Sequence, residues 1–250
     1  MQYSLKKRQK INNICNELNI VLPEQEEIIP DNLKEYNFNR SDDGGIVIVH
    51  NNAQIHPSAH IYVENSGMVL IEDGCKIGAN SKIYSKKGTI VYVNKETFIH
   101  DFALIVSDFE SFIYFEYNNQ IERMAEIGAW GGVIKIGSHT SIGSMPNLRA
   151  HNTVAKIGND CMFAQNVTMV AGDGHYIYDI ETLENITSYD FINLDNHVWC
   201  GVGATLLSGA KVGKNSIVGA ASLVNKMFEE NSIIAGVPAK TIRKGIGWKR

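Results

Sequence analysis

The stretch AGDGHYIYD, residues 171–179, sets one histidine between a Gly/Asp turn and a Tyr-Ile-Tyr-Asp run. An imidazole titrates near neutral pH, so a positioned His175 can take a proton from a hydroxyl as that oxygen attacks a carbonyl carbon. The same residues allow a plainer role, in which the ring closes the turn through Asp173 or backbone. Tyr176, Tyr178 and Asp179 follow directly, and their aromatic faces and carboxylate suit a sugar ring. The four cysteines, Cys15, Cys75, Cys161 and Cys200, lack metal-type spacing. His56 and His60 are four apart but far along the chain from His175, and no metal site is expected.

The elements that must position His175 follow from a six-residue repeat. Leu194, Cys200, Leu206, Val212, Val218 and Val224 recur every sixth position. A glycine or turn-former mostly follows each, and Val198, Ala204, Ala210, Ser216 and Ser222 fall at a fixed phase four residues on. Neither a helical period nor strict strand alternation produces that pattern, whereas a short strand and a sharp turn, repeated, do. Three such hexads make one triangular coil, and successive coils pair as parallel strands about 4.8 Å apart. The period recurs upstream in Ile71, Ile77, Ile83; Val93, Ile99, Ile105; Ile121, Ile127, Val133; Ile136, Ile142, Leu148; and Ile157, Phe163, Met169, each run shifted in phase from the last. Counted on from Met169, the next core position is His175, and the repeat resumes only at Leu194. A loop therefore leaves the coil at residues 175–193, and a loop that begins at an imidazole is a candidate active site.

The expected architecture is an all-β solenoid over residues 46–236. A helical or irregular cap precedes it in residues 1–45, and a basic tail, residues 237–250, follows. In the first segment Leu5, Ile11, Ile14, Leu18 and Val21 keep roughly helical spacing, and Pro23 and Pro30 bracket an acidic stretch with Glu24, Glu26 and Glu27. Such a segment would shield the open end of the coil, whose unpaired backbone groups invite aggregation. The tail carries Lys240, Arg243, Lys244, Lys249 and Arg250 and reads by default as a solvated end. A net charge of −4 gives no electrostatic reason for a nucleic-acid partner. No apolar run reaches the roughly 20 residues that span a bilayer, and the N-terminus lacks the apolar core of a signal peptide, so a cytoplasmic chain without disulfides is expected.

The repeat resembles that of the hexapeptide, left-handed β-helix acyltransferases. "DGHYIYD" resembles the DGH-x-IYD stretch of acetyl-CoA-dependent O-acetyltransferases of capsule and lipopolysaccharide sugars, sialic acid among them, and "NHVWCG" resembles the NHVWIG that follows it there. The spacing of His175 and Trp199 matches the catalytic His and pocket Trp of that family, over residues 136–243. The resemblance implies a homotrimer with acetyl-CoA between subunits. It implies His175 as general base, Trp199 beside the thioester, Val202 and Ala220 along the pantetheine arm, Asn225 and Lys226 near its end, and Arg243 with Lys240 at the nucleotide phosphates. Asn225 stands where Thr is common and Cys200 where Ile is usual. Arg149 and His151, in "NLRAHNT", occupy a stretch where related enzymes also carry a basic residue and His, and become acceptor contacts. The implied function is transfer of acetyl from acetyl-CoA to a hydroxyl of a surface polysaccharide or its sugar precursor. The alternatives are an amino-sugar or antibiotic acetyltransferase, a zinc enzyme such as other β-helix trimers form, and a trimeric scaffold without catalysis.

Overall fold

The computed structural model describes residues 2–21 and 30–250, so Pro23, Glu24, Glu26 and Glu27 fall outside the described residues. The chain winds as a parallel β-solenoid of about eight turns with three faces. Each coil lays one strand on each face in turn. Met68–Ile71 lies on the first, Lys76–Ile77 on the second and Lys82–Ser85 on the third, and Ile90–Val93 then returns to pair in parallel with Met68–Ile71. Parallel partners cannot be joined by a tight hairpin, so a whole coil must intervene between neighbours.

The six-residue repeat becomes columns of side chains. On the second face Ile77, Ile99, Ile121, Ile142, Phe163, Cys200, Val218 and Ile234 stack in register and are buried. Val198, Ala204, Ala210, Ser216 and Ser222 are buried as well, as the tight corners require. All four cysteines are free thiols and buried.

The phase shifts arise at one corner, where the chain passes from the third face to the first. Ile83 and Val93 are ten residues apart there, as are Ile105 and Phe115, whereas Leu206 and Val212 keep the spacing of six. Counting by sixes across this corner misassigns Val133: the core column continues at Ile136, beneath Ile157 and above Phe115, while Val133 faces outward. The largest insertion at the same corner separates Met169 from Leu194 and carries His175. The loop is thus an extreme case of a regular expansion.

The first face is apolar outside as well as inside. Met68, Leu70, Ile90, Phe112, Val133 and Val154 point away from the main core and form a second cluster. Helix Gln2–Glu17 and the turn after it cover this surface with Ile11, Ile14, Cys15, Leu18 and Ile20, and Lys156 Nζ donates to Leu18 O at 2.9 Å. The helix therefore lies along the flank of the solenoid instead of across its open end. The first edge is covered by Tyr36–Arg40, which pairs antiparallel with Ile46–His50, and the last by Ala239–Lys244, antiparallel to Ser232–Gly236. Edge strands paired in this way leave fewer free backbone groups. Among the described residues, no helix is long and apolar enough to cross a membrane.

The basic tail is solvated only in part: Lys240, Arg243, Lys244 and Lys249 are exposed, whereas its last residues dock on a corner of the solenoid. Trp248 stacks on His197 with ring centroids 3.9 Å apart, and its Nε1 donates to His197 O at 2.9 Å. Arg250 donates to Asp160 Oδ1, Ser141 Oγ, His139 O and Cys161 O at 2.8 to 3.1 Å. A guanidinium has five donors in a fixed fork, and the corner supplies acceptors for them.

Candidate active site

His175 is positioned by two glycines. Strand Thr168–Ala171 on the third face ends at Gly172, whose φ is +79° and whose Cβ, were it present, would lie 2.1 Å from His151 O. No other residue fits at that approach. Gly172 N donates to Ser208 Oγ at 2.8 Å, which ties the turn to the next coil. Gly174, at φ +73°, packs against the His151 ring. The loop is then closed at its base by Asp173, whose N–H donates to Ser188 O and whose Oδ2 accepts from Ser188 N at 2.6 Å.

His175 itself is exposed and has no hydrogen-bond partner among the described residues. The turn-closing role that the sequence also allowed is taken by Asp173 with Ser188. Asp179 likewise accepts from the N–H groups of Thr182 and Glu181, which hold its carboxyl below the usual range, so this carboxylate shapes the loop. Tyr176 and Tyr178 stack at 5.9 Å and are exposed.

One coil earlier, with its ring against Gly174, lies His151. Its pKa is lowered, first by burial and then by the charges of Arg149 and His175, which favours the neutral ring. Arg149 is held by Asn147 Oδ1 at 2.7 Å and Glu126 Oε2 at 3.4 Å. His151 also stacks on Trp130, a residue the sequence reasoning passed over, at 5.0 Å with 12° between the rings. A cavity of about 300 Å³ is lined by Phe109, Trp130, His151, Asn152 and Gly174. The available signal was the recurrence of Asp108, Trp130 and His151 at strand ends on successive coils.

The remaining candidates lie elsewhere on the chain. Trp199 is on the second face, with its ring 6.0 Å from that of Trp248. Lys240 and Arg243 are exposed on the closing strand of that face. Val202 and Ala220 sit at the corner between the second and third faces, where Ala221 N donates to Val202 O and a Cβ on Gly201 would come within 2.7 Å of Ala220 N. Asn225 and Lys226 are exposed at the corner of His175, on a later coil. The single chain thus brings His151 and His175 together, whereas Trp199 stands on a different face from His175. Among the described residues there is no group of three or more His, Cys, Asp or Glu side chains that could hold a metal ion, and His56 Nδ1 lies against Ser58 Oγ.

No protein-family model matches the chain. It is 35% identical over 120 residues to a polysialic acid O-acetyltransferase of Escherichia coli O1:K1 / APEC, which covers 48% of this chain and 39% of that protein. It is 33% identical over 132 residues to the putative lipopolysaccharide biosynthesis O-acetyl transferase WbbJ of Escherichia coli K12, covering 53% of this chain and 60% of the relative. A galactoside O-acetyltransferase of Escherichia coli K12 is 37% identical over 89 residues, 35% of this chain and 43% of that one. The chain therefore spans less than two thirds of each of these relatives. The crystal structure of the polySia-specific acetyltransferase NeuO superposes with a TM-score of 0.52 at 24% identity, over 80% of this chain and 90% of that one, which shows a shared fold. Chloramphenicol acetyltransferases of Agrobacterium fabrum and Klebsiella aerogenes match over a shorter stretch, 20% of this chain, at 43% and 41% identity, so the chain has the solenoid fold of NeuO and is similar in sequence to acetyltransferases of sugar and antibiotic acceptors.

Proposed function

We propose that the chain transfers an acetyl group from acetyl-CoA to a hydroxyl of a surface polysaccharide or its sugar precursor, with His175 as general base. The observation that carries this reading is His175 itself: an exposed imidazole without a hydrogen-bond partner among the described residues, at the start of a loop whose geometry two glycines make possible. Its loop leaves Asp173 to do the structural work, so the ring is available to a substrate hydroxyl. The sugar hydroxyl loses its proton to His175 as it attacks the thioester carbonyl, and a tetrahedral intermediate forms. Coenzyme A then leaves with the proton that the same imidazole returns. A neutral His151 beside the base adds no charge to oppose the imidazolium formed midway.

The working form in this reading is a homotrimer. Trp199, Val202, Ala220, Lys240 and Arg243 stand on other surfaces than His175, so a site that uses both sets draws them from neighbouring copies. The corner of Gly201 and Ala220 suits the pantetheine arm, because small residues there leave the backbone open to close approach. Arg243 and Lys240, exposed and cationic, suit the phosphates. Tyr176, Tyr178, Arg149 and His151 take the acceptor, with Asp179 shaping the loop that presents the tyrosines. A cytoplasmic location fits four buried free thiols.

The test is acceptor-stimulated release of the coenzyme A thiol over sialylated glycans, neutral capsule oligosaccharides and amino sugars. Release with one hydroxyl acceptor class, lost in His175→Ala by about 10²- to 10⁴-fold, supports the reading. Equal release by both proteins contradicts it. Mixing His175→Ala with Trp199→Ala chains tests the shared site: trimers containing both recover activity if the two residues act from neighbouring copies, and stay inactive if they act within one.

A further inference from the structure

The corner below the loop of His175 carries the half-buried rings of Trp130 and His151 and the exposed ring of Phe109, which the solenoid core does not use. Asp108, Trp130 and His151 end strands on three successive coils, in register. Trp130 lies outside both apolar clusters, yet its place is carved into the backbone: a Cβ on Gly128 would come within 2.3 Å of the indole. The ring is fixed on one side by the parallel stack with His151, at 5.0 Å and 12°. Phe109, 50% exposed at the corner beside Asp108, is the opposite wall of the 300 Å³ cavity, and Lys87 Nζ stands 3.8 Å from its ring centroid. Asn152 supplies an amide, and Gly174, next to His175, borders the upper end.

Aromatic walls with a few polar groups at their edges fit a sugar, whose C–H face packs on an indole while its hydroxyls reach the imidazole and amide. Distance then decides how much sugar. The register places Trp130 two coils and Phe109 three coils below the end of strand Thr168–Ala171 that leads into His175, roughly 10 and 14 Å along the axis at the usual spacing of parallel strands. In this arrangement the unit acetylated at His175 lies at the end of the cavity beside Gly174, and the next units of a linked chain lie against Trp130 and Phe109. We infer that Phe109, Trp130 and His151 form a second sugar subsite, which holds the part of the acceptor glycan adjoining the unit at His175, so that the preferred acceptor is a chain of linked sugars and not a free monosaccharide. The inference rests on the reading of His175 as the acetyl-transfer base.

Two measurements separate failure of the subsite from failure of that reading. The first is kcat/KM on monomer through hexamer of α2,8-linked sialic acid and of a neutral hexose, for wild type, Trp130→Ala, Trp130→Phe and Phe109→Ala. The subsite predicts that wild type gains roughly tenfold or more from monomer to longer chains. It predicts that Trp130→Ala costs far more on the longer chains than on the monomer, through KM, so that the gain with length disappears, and that Trp130→Phe restores part of it. A wild-type rate independent of chain length overturns the inference, and so does an equal loss on monomer and oligomer. The second is direct binding of the same oligomers to His175→Ala by saturation-transfer NMR, which needs no turnover. Binding that disappears in the double variant with Trp130→Ala supports the subsite even if acetyl transfer is absent; no binding of any oligomer overturns it.

Discussion

Two glycine-to-alanine substitutions separate the cost of a left-handed backbone from the cost of the contact that places His175. Gly88 and Gly172 both have positive φ, +71° and +79°. A Cβ on Gly88 meets nothing within 4 Å, whereas one on Gly172 would lie 2.1 Å from His151 O. Gly88→Ala pays only for the backbone conformation, about 1–2 kcal/mol. Gly172→Ala adds an overlap with a carbonyl oxygen that must move by more than 1 Å, and overpacking of that kind costs a further 1–3 kcal/mol or so. The expected total is about 2–5 kcal/mol, concentrated in the strand end at His151 and the loop base. Hydrogen exchange of those amides reads the local opening free energy of each variant. Should the loop swing out to relieve the clash, the stability loss is smaller but His175 is displaced, and a shift of about 1 Å costs on the order of 100-fold in rate. Gly88→Ala keeps the wild-type rate in either case. If the two variants match in both protection and rate, the close approach at Gly172 does not position His175 and the geometric account of the site is wrong.

Three further outcomes follow from the charges and thiols. Burial raises the Asp160 carboxyl, but the hydrogen bonds from His197 and Arg250 outweigh it and leave the pKa lowered. Its contribution to docking the C-terminal segment is therefore present above the ordinary carboxylate range and lost as the pH falls through the depressed value; Arg250→Ala shifts that release, followed by Trp248 fluorescence, to higher pH. His151 titrates below its ordinary value, so the stability it contributes is complete above that value and declines as the pH drops toward the folded pKa; Arg149→Ala moves its NMR titration upward, toward neutrality. Burial pushes the Cys161 thiol up to about 12 and the Cys75 thiol also to about 12, so Ellman's reagent finds no fast-reacting thiol in the native protein and all four after denaturation.

The solenoid was legible because its core obeys a one-dimensional rule: Leu194, Cys200 and Leu206 recur at a fixed step, and each step is one face. The break at His175 was legible for the same reason, as a gap in that step. Val133 was misread because the third-to-first corner absorbs extra residues, and a count by sixes cannot see an insertion inside a corner. The flank helix was read as a cap because strands such as Phe112–Phe115 are apolar at every position, and continuous apolar runs signal burial on both sides without saying what covers the second. Trp130 was missed since its partner His151 is 21 residues away and becomes a neighbour only once the coil length is known. Arg250 was read with the solvated tail, and Trp248 passed over, because a basic terminus has no periodicity, and only the corner around Asp160 and His197 gives it a place to dock.

The most direct test of His175 as the base for O-acetyl transfer is to identify the product. Isotope-labelled acetyl-CoA is incubated with an acceptor glycan and either wild type or His175→Ala, the latter shown to be folded by circular dichroism, and the glycan is analysed by mass spectrometry before and after mild alkali. The account predicts one labelled, alkali-labile acetyl ester per modified sugar from wild type and almost none from His175→Ala. Equal transfer by both proteins, or an alkali-stable amide, contradicts it.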